Sequence, residues 1–246
     1  MMLNLPSHQG CMRTAACILL ALTLTACAAA PGQPEAPKPV PIAEAKPIHT
    51  KPDPTPATPA KPTWPMAPAG VTVLNPDEES SGAATHRLAL LENEPALPAG
   101  DLGYYLDNME ARLIQKVRDD RIVVVRSEYS ISISIAGADA FDSGGFSLKP
   151  GTQATLLALA EVLEEYRETQ VTISGHTDDS GPEHYNQKLS EQRAFALASF
   201  LLDAGVAAQR LVTIGYGESK PLVANDSEAA RSENRRIELH LVPLTL

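Results

Sequence analysis

The chain of 246 residues has three cysteines, one tryptophan and only 4% aromatic residues. The cysteines, Cys11, Cys17 and Cys27, all lie near the N-terminus. Beyond residue 27 there is therefore no disulfide framework and no cysteine metal cluster. Basic residues are scarce as well. The 20 Lys plus Arg stand against 30 Asp plus Glu, for a net charge of −10 and a pI near 5.1. A nucleic-acid partner is excluded, because gripping phosphates requires a basic face. Long apolar runs are missing too: the longest, ending at Ala26, is shorter than the roughly 20 residues of a membrane span. Proline is in excess, with 16 of its 21 positions between Pro31 and Pro98. Composition alone splits the chain in two.

Residues 1–26 have the layout of a secretory signal: Arg13, an apolar stretch, then small residues. The stretch ends in Leu24-Thr25-Ala26-Cys27, which resembles the bacterial lipobox. That resemblance implies that Cys27 is lipidated and becomes the first residue of the mature protein. Several acyl chains on one residue anchor stably, at roughly 0.8 kcal/mol per buried CH₂. Ala28 and Ala29 follow with no Asp, which resembles the outer-membrane default of lipoprotein sorting. Met12 would give a more typical start of the signal than Met1.

Residues 31–68 contain 13 prolines in 38 positions. Such a tract forms neither helix nor central strand and favours extended polyproline II. At ~3.1 Å per residue it spans on the order of 120 Å. Residues 27–100 are accordingly read as a lipidated tether, with Trp64 in it rather than in a core. Within it, Val71-Thr72-Val73-Leu74 and Leu88-Ala89-Leu90-Leu91 are short apolar patches with no assigned element.

Order is expected from Asp101, a candidate N-cap. Leu102, Leu106, Met109, Leu113 and Val117 recur at helical spacing. Ile122-Val123-Val124-Val125 and the alternating Ile131, Ile133 and Ile135 read as a hairpin turning at 127–130. Residues 101–129 are thus a lead-in helix and strand, and 130–246 the main domain. In that domain a glycine loop precedes a helix opened by Pro150. Then follow a strand at 171–173, a helix opened by Pro182 and closed by Gly205, and a strand at 211–214. A short helix around 226–231 and a last strand at 237–241 complete the pattern. The expected class is α+β: a two-layer sandwich of one mixed sheet with helices on one side.

Two features could carry chemistry. The loop Gly175-His176-Thr177-Asp178-Asp179 follows a strand and precedes a helix, where such folds place ligands. Arg193 falls on the apolar stripe of the next helix, and a charge facing a core needs a partner or a ligand. An ion pair with Asp178 or Asp179 would supply the partner. A hydrolase is the rival reading, with His176, Asp178 and His184 as metal ligands or Asp178 and Asp179 as an acid/base pair. It lacks a zinc signature or a nucleophile motif, so the chain is read as a non-enzyme without cofactor or metal.

These segments carry a resemblance. Gly175-His176-Thr177-Asp178, Tyr185 through Ala194, Gly215-Tyr216-Gly217-Glu218-Ser219-Lys220-Pro221 and Asn234-Arg235-Arg236-Ile237-Glu238 resemble the OmpA C-terminal-like domain, which includes Pal lipoproteins and the periplasmic part of flagellar stators. Phe141-Asp142-Ser143-Gly144 and Leu148-Lys149-Pro150 resemble that family's first loop and helix start.

The resemblance implies non-covalent binding of peptidoglycan through the meso-diaminopimelate of its stem peptide. Asp178 would take the ammonium and Arg193 the carboxylate. Thr177, Asn186, Leu189, Ser143 and Gly144 would line the pocket. Ser143 and Gly144 depart from members that carry an aromatic and an Asp there. The expected protein is an outer-membrane lipoprotein facing the periplasm that tethers membrane to wall. The alternative is a regulatory or scaffold lipoprotein with an envelope protein partner. Asn234-Arg235-Arg236 is expected to anchor the last strand.

Overall fold

The computed structural model describes residues 64–246. The expectations for residues 1–26, Cys27 and the tract up to residue 63 lie outside the described residues. Among the described residues no helix is long and apolar enough to cross a membrane.

Six strands form one mixed sheet in the order β1-β5-β4-β6-β3-β2. These are β1 (Thr72–Leu74), β2 (Ile122–Arg126), β3 (Ile131–Ala136), β4 (Thr169–Gly175), β5 (Leu211–Gly215) and β6 (Arg236–Pro243). β1, β5 and β4 run parallel; β6 is antiparallel to β4 and β3, and β2 closes the far edge as a hairpin partner of β3. The helices are α1 (Glu79–Leu91), α2 (Leu102–Lys116), α3 (Gly137–Ala140), α4 (Pro150–Glu165), α5 (Glu183–Asp203) and α6 (Glu228–Asn234).

Alternation decides the faces. Ile131, Ile133 and Ile135 of β3, Val171 and Ile173 of β4, and Ile237, Leu239 and Leu241 of β6 are buried in one core with residues of α2, α4 and α5. The residues between them, among them Ser132, Thr172, Ser174 and His240, face the other side. Helices α2, α4 and α5 therefore make the second layer of the expected sandwich.

Two glycines fix α5 against the sheet. A Cβ at Gly175 would lie 2.2 Å from the Ser190 carbonyl oxygen, and one at Gly215 would lie 2.7 Å from the Glu191 nitrogen. Only bare backbone allows this approach. At its far end α5 closes in a Schellman motif: Gly205, at φ 104°, donates to Leu202, and Val206 donates to Leu201. Pro150 occupies the first turn of α4, and Pro182 is the N-cap of α5. Asp101 sits at the N-cap position of α2, but its side chain caps nothing.

The tether boundary at residue 100 needs correction. β1 adds to the sheet edge beside β5, and Leu74 packs with Val212, Ile214 and Tyr216. α1 then covers part of the opposite sheet face. His86 bonds the Gln209 carbonyl oxygen at 2.7 Å through Nε2 and Thr72 Oγ1 at 3.1 Å through Nδ1. Arg87 donates to the Pro243 carbonyl oxygen at 2.8 Å. Helices on one side thus describes residues 130–246, whereas α1 adds partial cover to the second face. The physical reason is that face's polarity. A helix lying on serines and threonines needs no strong apolar stripe: only Leu90 of α1 is buried, and Leu88 points to solvent.

Candidate functional site

A cleft of about 540 Å³ opens where the loop after β4 meets the N-terminus of α5 and the loop after α3. All seven residues expected to form a pocket line it: Ser143, Gly144, Thr177, Asp178, Asn186, Leu189 and Arg193. β4 delivers Thr177 and Asp178 just past its end. Thr177 is pinned by its own N–H to the Gly217 carbonyl at 2.8 Å. α5 presents Asn186, Leu189 and Arg193 on one face, at spacings of three and four. The glycine contacts with the sheet set the depth of that face.

Arg193 is 94% buried, with 6% of its surface exposed. Among the described residues its one hydrogen bond runs from Nε to the Gly145 carbonyl at 3.0 Å, and its guanidinium lies 5.3 Å from the centre of the Phe141 ring. Burial pulls its pKa below the usual guanidinium value, although Tyr185 and Asp178 oppose this. Arg210 gives the contrast. Equally buried, it donates at 2.9 Å to each of three carbonyls, those of Thr169, Leu163 and Tyr166. Arg210 is a satisfied structural cation. Arg193 keeps a fork of donors free of protein partners and turned to the cleft.

The expected ion pair between Arg193 and Asp178 or Asp179 does not form. Asp178 pairs instead with Arg235, whose Nη1 donates to Oδ2, while Oδ1 accepts from the Ser180 backbone at 2.9 Å. Burial would raise the Asp178 pKa. The Arg235 and Ser180 hydrogen bonds outweigh it and hold the carboxyl below the usual carboxylate range. Arg235 also donates to Glu228 at 2.7 Å. Asn186 braces the loop through the Asp178 carbonyl at 3.1 Å and Glu218 at 2.6 Å.

Arg235, Lys149, Phe141 and Tyr185 also line the cleft and were missed by the sequence reading. For Arg235 the signal was present. It immediately precedes a strand whose next residue, Arg236, turns the other way to pair with Glu238 at 2.6 Å. Asn234 of that motif anchors the loop before α6 and not the last strand: fully buried, it accepts from Leu222 and Val223 and donates to Val223 and Asn225.

His176 does not join Asp178. It lines a second cavity of about 550 Å³ between α1 and the polar sheet face, and stacks on Tyr216 with ring centres 5.0 Å apart. Among the described residues no three His, Cys, Asp or Glu side chains are grouped to hold a metal ion.

Residues 140–235, which hold the cleft, match the OmpA family. This segment is an OmpA family domain. Among relatives of the whole chain, the "Probable lipoprotein YiaD" of Escherichia coli K12 is 40% identical over 145 residues, 59% of this chain and 66% of that protein. The peptidoglycan-associated lipoprotein of Mesorhizobium japonicum is 34% identical over 110 residues, 45% of this chain and again 66% of the relative. The chain thus spans just under two thirds of either relative. The crystal structure of a MotB-like protein from Desulfovibrio vulgaris superimposes with a TM-score of 0.54 at 28% identity, covering 58% of this chain and 95% of that one. The OmpA family match runs from the last residue of α3 to Arg235, so it takes in all the cleft-lining residues except Gly137 and Ala138.

Proposed function

We propose that the protein is an envelope anchor whose OmpA family domain binds peptidoglycan non-covalently. One observation carries the reading: a buried guanidinium with free donors shares a cleft with an ionised carboxylate. The free end of meso-diaminopimelate has one carboxylate and one ammonium. The Arg193 fork matches the carboxylate with two parallel hydrogen bonds. Asp178 takes the ammonium, with Arg235 sharing its charge and setting its orientation. Asn186 and Thr177 hold the loop, and Ser143 and Gly144 let backbone approach the ligand. Nothing in this reading requires chemistry on the ligand, so the domain is a binder and not an enzyme.

The rest of the chain fits the same role. Cys27 is the lipid anchor in the outer membrane, the proline tract is the spacer, and the domain faces the periplasm. A single domain binds and exchanges; many copies on one polymer give avidity. The name of the Mesorhizobium relative supports the wall as ligand.

The test is sedimentation of the full chain with insoluble peptidoglycan that contains diaminopimelate, beside Arg193→Ala and Asp178→Asn variants checked for folding. Wild type is expected in the pellet and both variants in the supernatant, each losing about 2 kcal/mol or more of binding, the worth of a hydrogen bond to a charged group. Wild type remaining in solution would overturn the reading in favour of a scaffold lipoprotein with a protein partner.

A further inference from the structure

Trp64, the chain's single tryptophan, lies at the end of the proline-rich tract. It is half-buried. Its ring centre is 6.0 Å from that of Phe146 at a 40° tilt, and 5.7 Å from that of Tyr185, edge-on at 61°. These rings stand on two different elements bordering the cleft. Phe146 follows Gly145, whose carbonyl holds Arg193. Tyr185 stands in the first turn of α5, next to Asn186. Trp64 therefore packs at once on a ring of the loop after α3 and on a cleft-lining ring of α5.

The segment carrying it is otherwise loosely held. Residues 65–67 are exposed, and the next fixed points are Val71, packed against the core, and β1. The loop it reaches has an exposed tip. Residues 142–144 are exposed and Gly144 has φ 67°. Its base is closed by backbone bonds from Asp142 to Ser147 at 3.1 Å and from Lys149 to Ala140 at 3.0 Å, whereas its tip is held only by the Gly145 to Asp142 bond at 3.0 Å and by Arg193 on the Gly145 carbonyl. A glycine loop has much freedom to lose when a ligand orders it.

We propose that Trp64 is a positioning residue of the cleft. It clips the first loop to the first turn of α5 and so fixes where the Gly145 carbonyl holds the Arg193 fork. Tilted and edge-on ring pairs at these separations attract beyond the area they bury, so two such pairs hold the glycine loop in the binding geometry before ligand arrives. The end of the tether is then part of the site and not only a spacer. This inference rests on the peptidoglycan reading.

The experiment compares wild type, Trp64→Ala and Trp64→Phe as full chains in detergent, titrated with insoluble diaminopimelate-containing peptidoglycan. Trp64→Ala is expected to bind about tenfold more weakly, with Trp64→Phe recovering most of the loss and all three melting within a few degrees of one another. Trp64 emission reports the clip directly. It is expected to shift to the red in Phe146→Leu and in Tyr185→Leu without ligand, and to change on adding peptidoglycan to wild type but not to Arg193→Ala. Binding by Trp64→Ala equal to wild type overturns the proposal. Tighter binding overturns it too and makes Trp64 a lid. If wild type itself fails to sediment, the peptidoglycan reading falls. Emission unchanged in Phe146→Leu and Tyr185→Leu then removes the clip as well.

Discussion

Arg235 and Arg193 both reach the cleft, but only Arg235 is paired: it donates to Asp178 and Glu228, whereas Arg193 has no carboxylate partner among the described residues. The two arginines therefore divide the work. One holds the protein's own anion in place, and the other keeps donors free of protein partners at the cleft.

Removing the Arg235 charge is expected to make binding acid-sensitive. Asp178 has a depressed folded-state pKa, so its contribution is present above the ordinary carboxylate range and is lost as pH falls through its lower folded value. In Arg235→Gln the largest opposing influence on burial disappears, and the Asp178 pKa rises. Peptidoglycan sedimentation measured from pH 7 down to pH 4 is expected to fall off at a higher pH in this variant than in wild type. Superimposable curves would show that Arg235 does not set the charge of Asp178.

Arg193→Met tests the balance between stability and binding. A buried charge with one hydrogen bond is a liability to the fold, and an apolar side chain of similar length commonly does better. The variant is expected to gain about 1 kcal/mol, read as a melting point about 3 °C higher, while losing peptidoglycan. A lower melting point would mean that the Gly145 and Phe141 contacts are chiefly structural.

Gly175 and Gly144 predict opposite classes of damage. A methyl group at Gly175 meets the Ser190 backbone, which cannot yield without moving α5. Gly175→Ala is expected to destabilise by about 3 kcal/mol in urea unfolding. At Gly144 the space is open and only the positive φ resists. Gly144→Ala is expected to lower stability by about 1 kcal/mol and leave α5 seated.

His176 is expected to govern acid stability from the other side of the sheet. Burial, then the Arg236 charge, pushes its pKa down to about 4, against an opposing pull from Glu238. Lys220, stacked on Tyr216, adds a further positive charge nearby. The unfolded chain takes up the proton near pH 6.5 and the folded chain does not. Stability is therefore full above pH 6.5 and declines down to about pH 4, by about 3 kcal/mol in all. Urea midpoints across that window are expected to flatten in His176→Phe.

The sequence made the cleft more legible than its frame. Asp178, Arg193, Asn186 and Leu189 sit in short ordered motifs whose spacing already places them on a strand end and one helix face. Arg193 was conspicuous as a charge on an apolar stripe. β1 and α1 were invisible for the converse reason. β1 is three residues at a sheet edge, and α1 covers serines and threonines, so neither writes a strong period into the chain. The pairing of Asp178 with Arg235 spans 57 residues and follows from register, with β6 setting Arg235 opposite the end of β4. His176 shows the limit of adjacency: two residues from Asp178, it serves the opposite face.

The placement of Trp64 has a mechanical side. From Trp64 the chain runs through exposed residues 65–67 and meets the sheet only at β1. A load carried by that chain falls first on the Trp64 ring pairs, then on the three-residue ladder between β1 and β5. The long β4–β6 ladder lies behind both. Tension would thus reach the ring pairs beside the cleft before it reached the core, so the cleft's border would yield while the sheet stays whole.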